Sequence, residues 1–122
     1  MNKKTILVIE DNDLNMKLIK ALLKLKNYQT IEAVDAENGI QLAREYHPDL
    51  ILMDIQLPGM DGLTATRIIK DDPDIKDIPV VAFTSFAMEG DEKTAFNAGC
   101  VGYITKPLDT QKFLETVEEF LK

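Results

Sequence analysis

A single cysteine, Cys100, excludes an internal disulfide, and in the context "AGC" it reads as a small apolar core residue rather than a reactive thiol. No apolar run approaches the roughly 18 residues of a membrane-spanning helix, because charges or prolines interrupt each one. The stretch Thr5–Ile9 behind Met1–Lys4 is too short for a signal peptide and ends in two acids, Glu10 and Asp11. Export and membrane insertion are not expected, and the chain reads as cytoplasmic. Low-complexity tracts are missing too, which argues against disorder beyond the first few residues. Positive charge is scarce: 14 Lys and Arg stand against 21 Asp and Glu, a formal net charge of −7. Nucleic acid and anionic membranes are therefore disfavoured partners, and proteins are the expected ones.

What is present fits one folded unit. The 122 residues suit a single domain spanning 1–122, with no room for a second folded unit of ordinary size, and 45% hydrophobic with 29% charged residues can fill one core. Short runs rich in Val, Ile and Leu alternate with amphipathic stretches of about three turns, the pattern of βαβ units around a parallel sheet. Strands are predicted over Thr5–Ile9, Gln29–Ala33, Leu50–Met53, Val80–Thr84 and Gly102–Thr105, the second polar enough for an edge. The first helix starts near Asn12 or Asp13, both plausible caps, and Leu14, Leu18, Leu22 and Leu25 supply its apolar face. Further helices are predicted from Ala36 to Glu45, ended by His47–Pro48, then Asp61 to Lys70, Glu89 to Ala98 and Thr110 to Leu121. Phe113, Val117 and Phe120 form the inward stripe of the last. The fold class is α/β: a doubly wound five-stranded parallel sheet flanked by five helices.

In such a sheet the site lies beyond the carboxyl ends of the strands, where strand order reverses. The polar residues there are Glu10 and Asp11 after the first strand, Asp54 after the third, Thr84 ending the fourth and Lys106 after the fifth. Singly each has an ordinary explanation: a helix cap, a strand residue, a surface cation, a loop acid. Their joint arrival at one end of one sheet does not. Three gathered carboxylates repel one another and call for a cation, and Mg²⁺ suits hard oxygen ligands shared with a phosphate. Lys106 adds positive charge, Thr84 a hydroxyl, and the backbone N–H groups after Asp54 a cradle for an anion. Asp54 is best placed as a nucleophile in phosphoryl transfer, with Glu10, Asp11 and the Gln56 backbone carbonyl assigned to the metal.

At these residues the sequence resembles the response-regulator receiver domains of two-component signalling. The resemblance covers the whole chain and rests on "VIEDN", "DLILMDIQLPGMDG", "PVVAFTSFA" and "GYITKP". The wording "EDNDLNMKL", "MDIQLPGMDG" and "FAMEGDE" is most similar to stand-alone regulators of the DivK type and receiver modules of hybrid histidine kinases. It implies a CheY-like, flavodoxin-like fold with strand order 2-1-3-4-5, and a phosphoryl group donated to Asp54 by a histidine kinase or histidine phosphotransfer protein. It also implies Mg²⁺ as cofactor, with Mn²⁺ able to substitute. Thr84 and Tyr103 would be the switch residues, Lys106 would pair with the phosphoryl group, and Pro107 would follow a cis peptide bond. Partners would read the fourth helix, fifth strand and fifth helix of a monomer or weak dimer. The protein would be no enzyme in the ordinary sense, but a phosphoacceptor assisting its own phosphorylation and dephosphorylation.

Two positions depart from the common pattern. Glu10 stands where many members have Asp, and Phe86 is apolar where many are polar. With Gln56, Phe86 is expected to govern the lifetime of the phosphoryl group. A flavin- or nucleotide-binding module is the alternative class, but G-x-G-x-x-G and G-x-x-x-x-G-K-[ST] are both missing. A haloacid-dehalogenase-type phosphatase usually has a second Asp where Gln56 stands. With the chain ending at Lys122, output through protein contacts is expected, as a phosphorelay intermediate, a kinase regulator or a chemotaxis-type motor regulator. Lys17, Lys20 and Lys24 share one flank of the first helix, either a solvated face or a dock for an acidic helical phosphodonor near Leu14, Asn15 and Leu18. Asp61 and Asp91 read as helix-start acids, and Met53, Met60 and Met88 as packing, Met88 alone lying near the output face.

Overall fold

The computed structural model describes residues 3–84, 91–105 and 110–121. Strands β1 (Thr5–Ile9), β2 (Gln29–Ala33), β3 (Leu50–Asp54), β4 (Val80–Thr84) and β5 (Gly102–Thr105) alternate with helices α1 (Asp13–Leu25), α2 (Ala36–Tyr46), α3 (Gly62–Asp71), α4 (Asp91–Ala98) and α5 (Thr110–Phe120). All neighbouring strands run parallel in the order β2-β1-β3-β4-β5. The chain leaves β1 for β2 on one side and returns to β3 on the other, so the order reverses between β1 and β3.

Period-2 alternation in the central strands divides the core. Ile6, Val8, Leu50, Leu52, Val81 and Phe83 face one way and pack with α1 and α5. Leu7, Ile9, Ile51, Met53, Val80 and Ala82 face the other way and pack with α2, α3 and α4. Strands β1, β3 and β4 are buried on both faces, which is why they read as continuous apolar runs. β2 is an edge, as its polarity suggested. Cys100 is a buried core residue. Phe113 and Val117 are buried in the α5 face, with Phe120 packed beside them.

Helix starts follow their caps. Asn12, Asp35 and Asp61 are extended and accept from the backbone N–H three residues on, at 3.0, 2.8 and 2.8 Å. His47 closes α2 in the left-handed region at φ 47°. Its imidazole also reaches Asp74 Oδ2 at 3.1 Å.

One expectation is corrected in α1. Its buried residues are Met16, Ile19, Leu22 and Leu23, whereas Leu14, Leu18 and Leu25 are 75%, 46% and 72% exposed. Two apolar series with helical spacing run along this helix, and only Leu22 belongs to the predicted one and the inward face. At about 100° per residue, Lys17 and Lys24 sit within about 100° of the Leu14–Leu18–Leu25 line. Burying that line would draw both lysines to the core margin. Burying Ile19 and Leu23 leaves them in water.

Candidate functional site

β1 and β3 deliver the acids. Glu10 follows β1 directly, and its N–H donates to Ala33 O at 3.0 Å, extending the sheet pairing by one residue. Asp54 is the last residue of β3 rather than the first beyond it, in register with Phe83. Each of Glu10, Asp11 and Asp54 offers a carboxylate oxygen, and these oxygens lie within 4.8 Å of one another. Glu10 and Asp54 are buried, at 1% and 3% exposure, while Asp11 faces solvent. Two buried like charges at this distance repel by roughly 3–4 kcal/mol at an effective dielectric near 20.

Backbone donors hold the two buried carboxylates. Asn12 N–H donates to Glu10 Oε1 at 3.0 Å and Gln56 N–H to Asp54 Oδ1 at 2.9 Å. Gln56 thus acts on the site through its backbone amide, a contact invisible in sequence because any residue but proline offers the same N–H. Thr84 ends β4 fully buried, level with Thr105 on β5. Tyr103 on β5 is half-buried against the α2–α4 core, its hydroxyl inside. Lys106, Pro107, Phe86 and Met88 lie outside the described residues.

Gly62 is a site residue that pattern reading did not single out. A Cβ there would lie 2.3 Å from Asp54 O and 2.7 Å from Ile55 Cα, so the start of α3 rests directly on the peptide that follows Asp54. The readable signal was the Asp61–Gly62 pair at a helix start.

A parallel sheet of this order, with three acids gathered at its switch point, defines an acidic-cleft α/β protein of the receiver class. The chain belongs to the response regulator receiver domain family, whose model matches residues 6–118. It is therefore a phosphoacceptor of two-component signalling, and the flavin- or nucleotide-binding alternative is not favoured. It is 48% identical over 118 residues to the polar-differentiation response regulator DivK of Brucella ovis, covering 97% of this chain and 96% of that one. The receiver domain of a sensor histidine kinase from Pseudomonas aeruginosa, solved with magnesium coordinated in its active-site cleft, matches with TM-score 0.90, 30% identity and 98% of both chains. A response regulator from Chloroflexus aurantiacus matches with TM-score 0.94, 26% identity and 98% of both chains. Among the described residues no helix is long and apolar enough to cross a membrane.

Proposed function

We propose that Asp54 accepts a phosphoryl group from a histidine kinase or histidine phosphotransfer protein, with Mg²⁺ held by Glu10, Asp11, Asp54 and the Gln56 backbone carbonyl. The observation that carries this reading is the meeting of three carboxylate oxygens within 4.8 Å at the ends of β1 and β3. An octahedral Mg²⁺ wants hard oxygens about 2.0–2.1 Å from itself. Small side-chain rotations would bring the three acids to that spacing, so the donor set fits. The ion, or Mn²⁺ in its place, would neutralise charge on the transferring phosphoryl oxygens.

The remaining work falls to the chain. A carboxylate oxygen of Asp54 attacks phosphorus, forming an O–P bond as the donor's N–P bond breaks and its electron pair returns to the imidazole. The Gln56 N–H fixes the other end of the carboxylate through Oδ1. Thr84 and Lys106 bind the new phosphoryl group, and Thr84 with Tyr103 passes the change to the α4-β5-α5 face, where a downstream protein reads it. Gln56 and Phe86 set the lifetime by screening the acyl phosphate from water. The protein works in the cytoplasm as a monomer or weak dimer and turns over no separate substrate.

Outward Leu14 and Leu18 support α1 as the surface that meets the phosphodonor. Lys17 is tied to Asp13 at 3.2 Å and Lys20 to Glu32 at 2.9 Å. The apolar residues, more than the charges, therefore carry this docking.

Incubation with acetyl phosphate and Mg²⁺ followed by intact mass measurement tests the assignment. Wild type should gain one phosphoryl group and Asp54→Asn none. An adduct that survives the substitution overturns it.

A further inference from the structure

We propose that Thr66 is a positioning residue for Asp54, holding the first turn of α3 against the peptide that follows the phosphoacceptor, with Cys100 orienting its hydroxyl. The inference rests on Asp54 being that acceptor.

Four contacts connect in series. Gly62 has no side chain, so its backbone approaches the Asp54–Ile55 peptide more closely than a Cβ would permit. That peptide leads to the Gln56 N–H, which grips Asp54 Oδ1 at 2.9 Å. Thr66 is completely buried, and its hydroxyl donates to Gly62 O at 2.7 Å. Cys100 Sγ lies 3.8 Å from Thr66 Oγ1. A hydroxyl has one proton, and Thr66 spends it on Gly62 O. Its oxygen is left to accept from the thiol. Burial holds the Cys100 thiol above its ordinary pKa, so it stays protonated and can donate.

A threonine bonding back four residues in a helix is commonly just a satisfied hydroxyl. Here the acceptor is the residue on which Asp54's own peptide rests. The donor to Thr66 comes from the turn leading into β5, two residues before that strand begins. The hydroxyl therefore ties the acceptor loop through α3 to the foot of the strand that carries Tyr103.

Removing the hydroxyl without changing shape leaves Gly62 O with the helical Thr66 N–H as its remaining donor and loosens the turn. Displacements of about 1 Å cost up to roughly 100-fold in rate. A smaller drift in Thr66→Val should lower the maximal rate of phosphorylation by acetyl phosphate about tenfold, leaving the half-saturating donor concentration unchanged. Thr66→Ser keeps the hydroxyl and should stay within about twofold of wild type, although the lost methyl lowers its Tm. Ile69→Val, buried in the same helix, controls for packing loss alone. Cys100→Ala should slow the reaction in the same direction but less. In ¹H–¹⁵N spectra the Gln56 amide should shift in Thr66→Val and not in Thr66→Ser. Rates that simply track Tm across the set, or a Thr66→Val that reacts like wild type, overturn the proposal. If wild type itself forms no adduct at Asp54, the acceptor assignment fails instead, and the Gln56 amide shift alone decides whether Thr66 positions this loop.

Discussion

Asp54 is an ordinary carboxylate placed in an unusual setting, and the setting is made by neighbours without reactive groups. Gln56 contributes a backbone N–H, Gly62 the absence of a side chain, and Thr66 a buried hydroxyl. Sequence reading singled out residues whose chemistry is in the side chain: Glu10, Asp11, Asp54 and Thr84 lie at or just beyond the carboxyl ends of their strands, and Tyr103 is the second residue of β5. It missed those that act through backbone or through close approach, because neither leaves a mark on residue type beyond a glycine after a capping acid. The Gly62 contact makes a sharp case. In Gly62→Ala the new methyl would need the space of Asp54 O, and overpacking of this kind costs typically about 1–3 kcal/mol. Urea unfolding should show that loss. Phosphorylation by acetyl phosphate should slow beyond what an equally destabilised core variant shows, because the peptide forced to move is that of Asp54, the proposed acceptor.

At the scale of elements, strand positions were legible almost to the residue, since buried parallel strands are short unbroken apolar runs bounded by polar residues. Helix starts were legible where Asn12, Asp35 and Asp61 cap them. The rotation of α1 about its axis was not, because Leu14, Leu18 and Leu25 imitate an inward face as well as Met16, Ile19 and Leu23 do. What decides between them is contact with β1 and β3 across the sheet, which local spacing does not encode. The consequence is measurable. Leu23→Ala removes a fully buried side chain and should cost about 2–5 kcal/mol. Leu14→Ala should change stability by no more than about 0.5 kcal/mol. The same Leu14→Ala should slow phosphoryl transfer from a histidine-containing donor while leaving transfer from acetyl phosphate unchanged. Equal slowing with both donors would remove α1 from the docking surface.

For the molecule as a whole, the parallel α/β class followed from the alternation of elements and the sheet order from the family resemblance, while the placement of charge followed from neither. Far from the site, Arg44 Nε bonds Asp72 Oδ2, and this bond, with a second from Asp74 N–H, holds the Asp72 carboxyl below its ordinary value of 3.8. A lowered carboxyl pKa adds stability above the unfolded-state value and loses it as pH falls through the folded one. Wild type should therefore exceed Arg44→Gln in urea midpoint by a constant margin near neutrality, and the margin should shrink below about pH 4. At the acidic cleft the balance runs the other way. Glu10, Asp11 and Asp54 meet in a protein already carrying seven net negative charges, so bringing them together weakens the fold until a cation binds. A ligand that binds only the folded state stabilises by about 2.7 kcal/mol at 100 times its Kd. Saturating Mg²⁺ should thus raise Tm, and EDTA should reverse the rise. Asp54→Asn removes one of the three charges, so its Tm in EDTA should exceed that of wild type, and its gain on adding Mg²⁺ should be smaller. The two effects share one cause: the repulsion that Asn relieves without metal is the repulsion that Mg²⁺ relieves in wild type. A Mg²⁺-dependent gain of the same size in both proteins would mean that Asp54 is not among the groups the ion neutralises.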